Sequence, residues 1–247
     1  WFRNTWSWGY KEFDYKPMLT SISQQTIEVN HRRHGRYIMY FENADEILFC
    51  ENETNYQRLY NIPNASPYVK DGINDYIVSG KKAATVNKNR FGTKAAGCFE
   101  RRVQPGESVT IRVRFADQIK EKPFEGFEEL FATRLKEADL FYEELQKGVD
   151  DLELKSIGRQ AYAGMLWNKQ FYYYNVYEWL KGDPGKPAPD PHRKWGRNSG
   201  WKHLYAANLI SMPDKWEYPW FAAWDLAFHT IPLARLDPDF AKRQLEI

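Results

Sequence analysis

Residues 211–229 read SMPDKWEYPWFAAWDLAFH and continue without a break into LAFHTIPLARL, residues 226–236. The first half is a loop: two prolines, and rings interleaved with charges. The second half is apolar at helical spacing and predicts a helix from about Trp224 to Arg235. Aromatic faces stack on the C–H faces of sugar rings. Carboxylates accept hydrogen bonds from hydroxyls. A loop that carries both and then enters a helix reads as the floor of a carbohydrate pocket. The candidate binding residues are Trp216, Glu217, Tyr218, Trp220, Trp224, Asp225 and His229.

Upstream, two further helices are expected. Phe127, Phe131, Ala138, Phe141 and Leu145 fall at helical spacing, with charges on the other faces and Gly148 as the stop. A second helix begins near Leu152 and carries Leu154, Ile157, Ala161 and Met165 on one side. It is less polar all round, which suits a helix buried in a larger bundle. Residues 168–218 read as a long loop with little regular structure. Loops of that length are functional or disordered, and the density of Trp and Tyr argues for order. Asp237 or Asp239 caps a last helix.

Residues 1–118 read as β. Val109, Ile111, Val113 and Phe115 alternate with Thr110, Arg112 and Arg114, the pattern of a half-buried strand. Residues 26–29, 37–41 and 47–50 are strand-like, and Gly35, Asn43, Asn61 to Asn64 and Pro105-Gly106 punctuate them. Short strands at regular spacing suggest an antiparallel sandwich. No helical period interrupts them, which excludes a βαβ fold.

Composition removes several function classes. The net charge is +2 with both signs mixed along the chain, so the one-sided basic stripe of a nucleic-acid partner is absent. The densest basic spot, residues 31–34, reads as an exposed hairpin end. No stretch is apolar enough to span a membrane. The five His lack ligand spacing, which argues against a metal. No Gly-rich phosphate loop and no Gly-x-Ser-x-Gly is present, so neither a nucleotide cofactor nor a Ser nucleophile is implied. Cys50 and Cys98 could pair with each other, but two scattered cysteines suit buried thiols in a reducing compartment and favour a cytoplasmic location.

Each candidate also has a plainer role. Asp225 in the first turn of a helix is favoured by the helix dipole alone. His229, one turn later on the same face, suits a packed core histidine equally well. Asp214 reads as the start of a turn after Pro213. Glu217, a carboxylate among rings, needs a partner, either a sugar hydroxyl or Lys215. Trp167, Lys169 and Gln170 point toward the same loop region, with a solvated Lys as the plain alternative.

The segments MPDKWEYPWFAAWDLAFH (212–229), LWNKQFYYYNVYEWLKGDPGKP (166–187) and WFRNTWSWG (1–9) resemble bacterial members of glycoside hydrolase family 63. These are relatives of processing α-glucosidase I and of mannosylglycerate hydrolase, and the resemblance covers nearly the whole chain. It implies an N-terminal β-sandwich, a linker helix and a six-hairpin (α/α)6 toroid. On that map residues 1–118 are the last part of the sandwich, 119–150 the linker, and 151–247 a truncated start of the toroid. The implied mechanism is inverting, with an acid and a base about 6.5–9.5 Å apart and water as the nucleophile. Related enzymes carry the acid in a Ser-Gly-x-Asp segment. Here Ser79-Gly80 and Ser199-Gly200 are not followed by that Asp. The resemblance therefore makes Asp225 a sugar contact together with Trp224, and places both catalytic carboxylates outside this chain.

The chain opens on Trp1 with no Met and closes on a helical pattern without a cap, so both ends read as cut. The expectation is a fragment of an inverting α-glycosidase that acts on small α-glucosides or α-mannosides, inactive by itself and without a cofactor. Its partners would be a small oligosaccharide and the remainder of the parent polypeptide. The alternative is a non-catalytic carbohydrate-binding or scaffold protein derived from such an enzyme.

Overall fold

The computed structural model describes residues 1–80 and 84–247; residues 81–83, inside the expected β region, lie outside the described residues. The fold is mixed, with antiparallel sheets and several helices. It forms two compact units: Trp1–Glu125 with Asp183–Pro187, and Gly126–Gly182 with Ala188–Ile247.

In the first unit β1 (Met18–Ser23), β2 (Thr26–His31), β3 (Gly35–Phe41), β5 (Phe91–Gly92) and β7 (Val113–Ala116) form one antiparallel sheet in the order β5-β1-β2-β3-β7. Alternation sets its faces. Ile27 and Val29 point into the core, while Glu28 between them pairs with Arg36 across the hairpin at 2.9 Å. The basic cluster is the hairpin turn: His31 Nδ1 accepts from the amides of Arg33 and His34. Gly35 takes φ +83 there, a conformation that favours glycine.

A second, two-stranded sheet pairs β4 (Glu46–Cys50) with β6 (Lys94–Cys98). β4 is buried on both faces, which explains its unbroken apolar run. Ile47 and Phe49 share a core with Leu19, Ile27, Val29 and Phe41. Leu48 and Cys50 pack on Ile73 of α2 (Gly72–Val78). Burial pushes the Cys50 thiol up to about 11. Cys50 faces Lys94 and Cys98 faces Glu46. That places the sulfurs at opposite ends of the ribbon, about 13 Å apart at strand rise, beyond disulfide reach. Both are free.

The segment before β1 is fastened by polar contacts. Trp6 Nε1 donates to Glu53, and Lys16 bridges Glu51 and Glu53 at 3.1 Å each. Residues 183–187 join the same unit: Gly185 N–H donates to the Trp8 carbonyl at 2.7 Å, and Tyr10 donates to Asp183. A side chain on Gly9 would sit 2.5 Å from the Gly185 nitrogen, so this contact requires a glycine.

Two expectations for this unit are corrected. Short helices do interrupt it, α1 (Tyr56–Tyr60) and α2. They have too few turns to leave a periodic signal. The alternating stretch 109–115 is not half-buried: Val109, Ile111, Val113 and Phe115 are all exposed, and only residues from Val113 onward join the sheet. Alternation marks two faces but not which one meets a core.

The second unit holds α3 (Phe127–Leu145), α4 (Leu152–Trp167), β8 (Lys169–Asn175), α5 (Val176–Lys181), β9 (Tyr205–Ser211), α6 (Ala223–Leu236) and α7 (Pro238–Gln244). Asp151 starts α4 by accepting from the Glu153 and Leu154 amides. Asp237 caps α7 through the Phe240 amide. Leu233, Leu236, Phe240 and Ala241 form a core against Leu145, Tyr162, Met165 and Leu166. α4 is not enclosed as expected: none of its residues is buried, and Leu154 and Ile157 are more than half exposed. Among the described residues no helix is long and apolar enough to cross a membrane.

Gly97 on β6 tests the core of the first unit. A Cβ there would lie 2.4 Å from the Phe41 ring, which is buried and cannot swing away freely. Gly97→Ala is expected to cost about 1–3 kcal/mol, read as a lower urea midpoint. An unchanged midpoint would show that Phe41 has room to yield.

Candidate functional site

The region expected to be an irregular loop, residues 168–218, is organised by a β-ribbon. β8 and β9 pair over seven positions, from Lys169↔Ser211 to Asn175↔Tyr205. Sequence missed it because β8, KQFYYYN, is aromatic on both faces and shows no polar alternation, and its partner lies about thirty residues on. Asn175 then caps α5 by accepting from the Glu178 amide.

The stretch 211–229 leaves the end of β9. Met212 is fully buried with Ile210 and Leu226, and Tyr172, Tyr218 and Phe221 pack around them. Asp214 makes the turn read from sequence: its Oδ1 accepts from the Trp216 and Glu217 amides at 2.6 Å each. That turn lifts Trp216 out to 95% exposure, with Glu217 exposed beside it. Glu217 is thus not enclosed among rings, and among the described residues it has no ion pair with Lys215. The need for a buried partner falls away.

Tyr218 and Trp220 lie 5.7 Å apart, centroid to centroid. Trp224, 71% exposed, meets Phe228 edge to face at 5.9 Å. Asp225 sits half-buried in the first turn of α6, with no hydrogen-bond partner among the described residues. His229 is half-buried and its Nδ1 is 3.1 Å from Ser211 Oγ, so its orientation is set from β9.

Beside this stretch lies a cleft of about 750 Å³. Of the expected site residues, Trp220 lines it. The others in its wall are Tyr172, Tyr173 and Tyr174 of β8, Ala206 of β9, Pro219 and Phe221, and Arg197, Asn198, Trp201 and Leu204 from the α5–β9 connection. The tyrosines and Trp201 were visible in the sequence as aromatic density. Arg197 carried no signal, because its place depends on the ribbon closing. Burial pushes the Tyr172 hydroxyl up from its ordinary value.

Lys169 is not the solvated residue of the plain reading. Its ammonium pairs with Asp237 Oδ2 at 2.5 Å and lies 4.3 Å from the Phe240 ring centre. It ties the start of β8 to α7. Gln170 is buried in the ribbon, and Trp167 is exposed at the end of α4.

No family model matches the sequence. The chain is similar to the uncharacterized protein YMR196W of Saccharomyces cerevisiae: 39% identical over 282 aligned positions, covering 100% of this chain and 26% of the yeast protein. The chain therefore spans about a quarter of the length of the relative it matches.

The Lys169 pair gives a pH test. The hydrogen bond from Lys169, then that from the Phe240 amide, holds Asp237 below its ordinary carboxylate value. A group held low in the folded state contributes fully above its unfolded value of about 3.9, and loses that contribution as pH falls through the folded value. Asp237→Asn keeps a capping oxygen and removes the charge. At pH 6 the wild type is expected to be the more stable in urea, and the gap to close below about pH 4. A gap independent of pH would assign the effect to the cap rather than the ion pair.

Proposed function

We propose that the chain is part of an inverting α-glycosidase of glycoside hydrolase family 63 acting on small α-glucosides or α-mannosides. In this reading the first unit is the end of a β-sandwich, α3 the linker helix, and the helices from α4 onward the first part of an (α/α)6 toroid. Trp224 stacks on the non-reducing sugar and Asp225 accepts from its hydroxyls. Trp216, Glu217, Tyr218 and Trp220 shape the pocket, and His229 is oriented by Ser211. The acid and the base belong to the remainder of the parent polypeptide, and water is the nucleophile.

The observation that supports this best is the combination in residues 216–229. Solvent-facing rings and carboxylates that have no protein partner among the described residues share one stretch, and Trp220 of that stretch lines an aromatic cleft of the size small-molecule sites have. The similarity to a much longer relative agrees with a division in which this chain supplies binding and other segments supply chemistry.

A second reading, a non-catalytic carbohydrate-binding protein, is favoured by the exposure of Trp216 and Glu217, which suits a surface platform. One experiment separates the two. The purified chain is given p-nitrophenyl α-glucoside and α-mannoside, and binding of the matching disaccharides is followed by tryptophan fluorescence. The expected result is binding without release of nitrophenol, weakened about tenfold or more in Trp224→Ala and Asp225→Ala. Turnover by the chain would overturn the assignment of catalysis elsewhere. Absence of binding to every α-glycoside would overturn both readings. Binding by a full-length parent that never hydrolyses would decide for the second.

A further inference from the structure

One wall of the cleft differs in chemistry from the rest. Residues 191–204, PHRKWGRNSGWKHL, hold Arg193, Lys194, Arg197 and Lys202 with no Asp or Glu. Among the described residues no carboxylate lines the cleft. Arg193 is engaged away from it: its Nη1 donates to the Trp179 carbonyl at 2.8 Å, and its guanidinium lies 4.6 Å from the Trp179 ring centre. Arg197 lines the cleft and has no ion pair or hydrogen bond among the described residues. Asn198 beside it takes φ +65, the left-handed conformation that Asn tolerates. Its amide can donate to and accept from hydroxyls.

A guanidinium is a planar fork that matches a carboxylate or phosphate bidentately. The facing rings, Trp220 and the tyrosines of β8, suit the apolar face of a sugar. A neutral sugar satisfies the rings and leaves the exposed fork to water; a sugar that bears an anion uses both. The geometry points to a sugar ring carrying a carboxylate or phosphate as the occupant of this cleft, a unit distinct from the one assigned to Trp224 and Asp225, with Arg197 on the anion and Trp201 and Trp220 on the ring. This rests on the carbohydrate reading above and adds the class of substrate.

The test titrates the 247-residue protein with methyl α-glucoside, glucuronic acid, glucose 1-phosphate and inorganic phosphate, followed by tryptophan fluorescence. The acidic sugars are expected to bind about tenfold more tightly than the neutral one, with a preference that shrinks as salt is added. The tighter of the two identifies the anion. Arg197→Gln should bring the preference within about twofold. Lys194→Gln, the same charge change on the same segment, should keep it. Equal binding of neutral and acidic sugars, or a preference that survives Arg197→Gln, overturns the anion assignment and leaves the carbohydrate reading standing. Phosphate alone binding as tightly as the sugar phosphate, with no neutral sugar bound, overturns both, as does binding of none of the four.

Discussion

The pairing of β8 with β9 is the constraint on which the candidate site depends. Seven residue pairs close residues 176–204 into one loop. Closing a loop of that length costs chain entropy, and a two-stranded ribbon in isolation is marginal in water. The ribbon is therefore held from outside. Gln244, 3% exposed on α7, accepts from the Ser211 amide at 3.0 Å and donates to the Leu209 carbonyl at 3.1 Å. Lys169 reaches Asp237 at the start of the same short helix. A buried side-chain amide that satisfies both of its halves on a strand end is an expensive group to disturb. Through it, the last helix fixes the strand from which the whole aromatic stretch departs.

Register then decides what the site is made of. Successive side chains of a strand point to opposite faces, so a slip of one residue would exchange them. In the observed register Tyr172 packs near Phe221, and Tyr172 and Tyr174, with part of Tyr173, line the cleft. Phe171 and Tyr173 stack on each other at 6.2 Å, and Tyr173 meets Tyr205. Both faces are aromatic, so hydrophobicity alone does not choose between the two registers. The polar ties at Lys169, Ser211 and Gln244 do.

The same facts explain what could be read from the sequence. The helices at 127–145, 152–167 and 223–236 were legible because a period of 3.6 is a local signal; the last cap was legible as one of Asp237 and Asp239, and the fold chose Asp237. The ribbon was not, since its partners are distant and one strand lacks alternation. The basic turn at 31–34 was legible as a hairpin end, whereas the outward aspect of Val113 and Phe115 was not, because the face that meets a core is a property of the neighbours. The candidate residues 216–229 were found from composition. That Trp220 among them lines a cleft with Arg197 and Trp201 needed the three-dimensional closure.

α6 carries the last step. At about 100° per residue, Leu226, Thr230, Leu233 and Leu236 form one stripe, and all four are buried. Trp224, Phe228 and Ile231 form the opposite stripe and are 62–71% exposed. A helix apolar on both sides belongs in an interior or beneath a ligand, because one apolar stripe in water gains nothing from folding. Asp225 falls between the stripes on one flank, at the border of the two environments, and His229 on the adjoining side of the buried stripe. A carboxylate at that border, next to Trp224 in the chain, can act on the edge of whatever covers that ring's face. A sugar asks for that division of labour, with its C–H face on a ring and its hydroxyl edge on a carboxylate. A purely apolar partner would cover the rings and leave Asp225 at the rim without use.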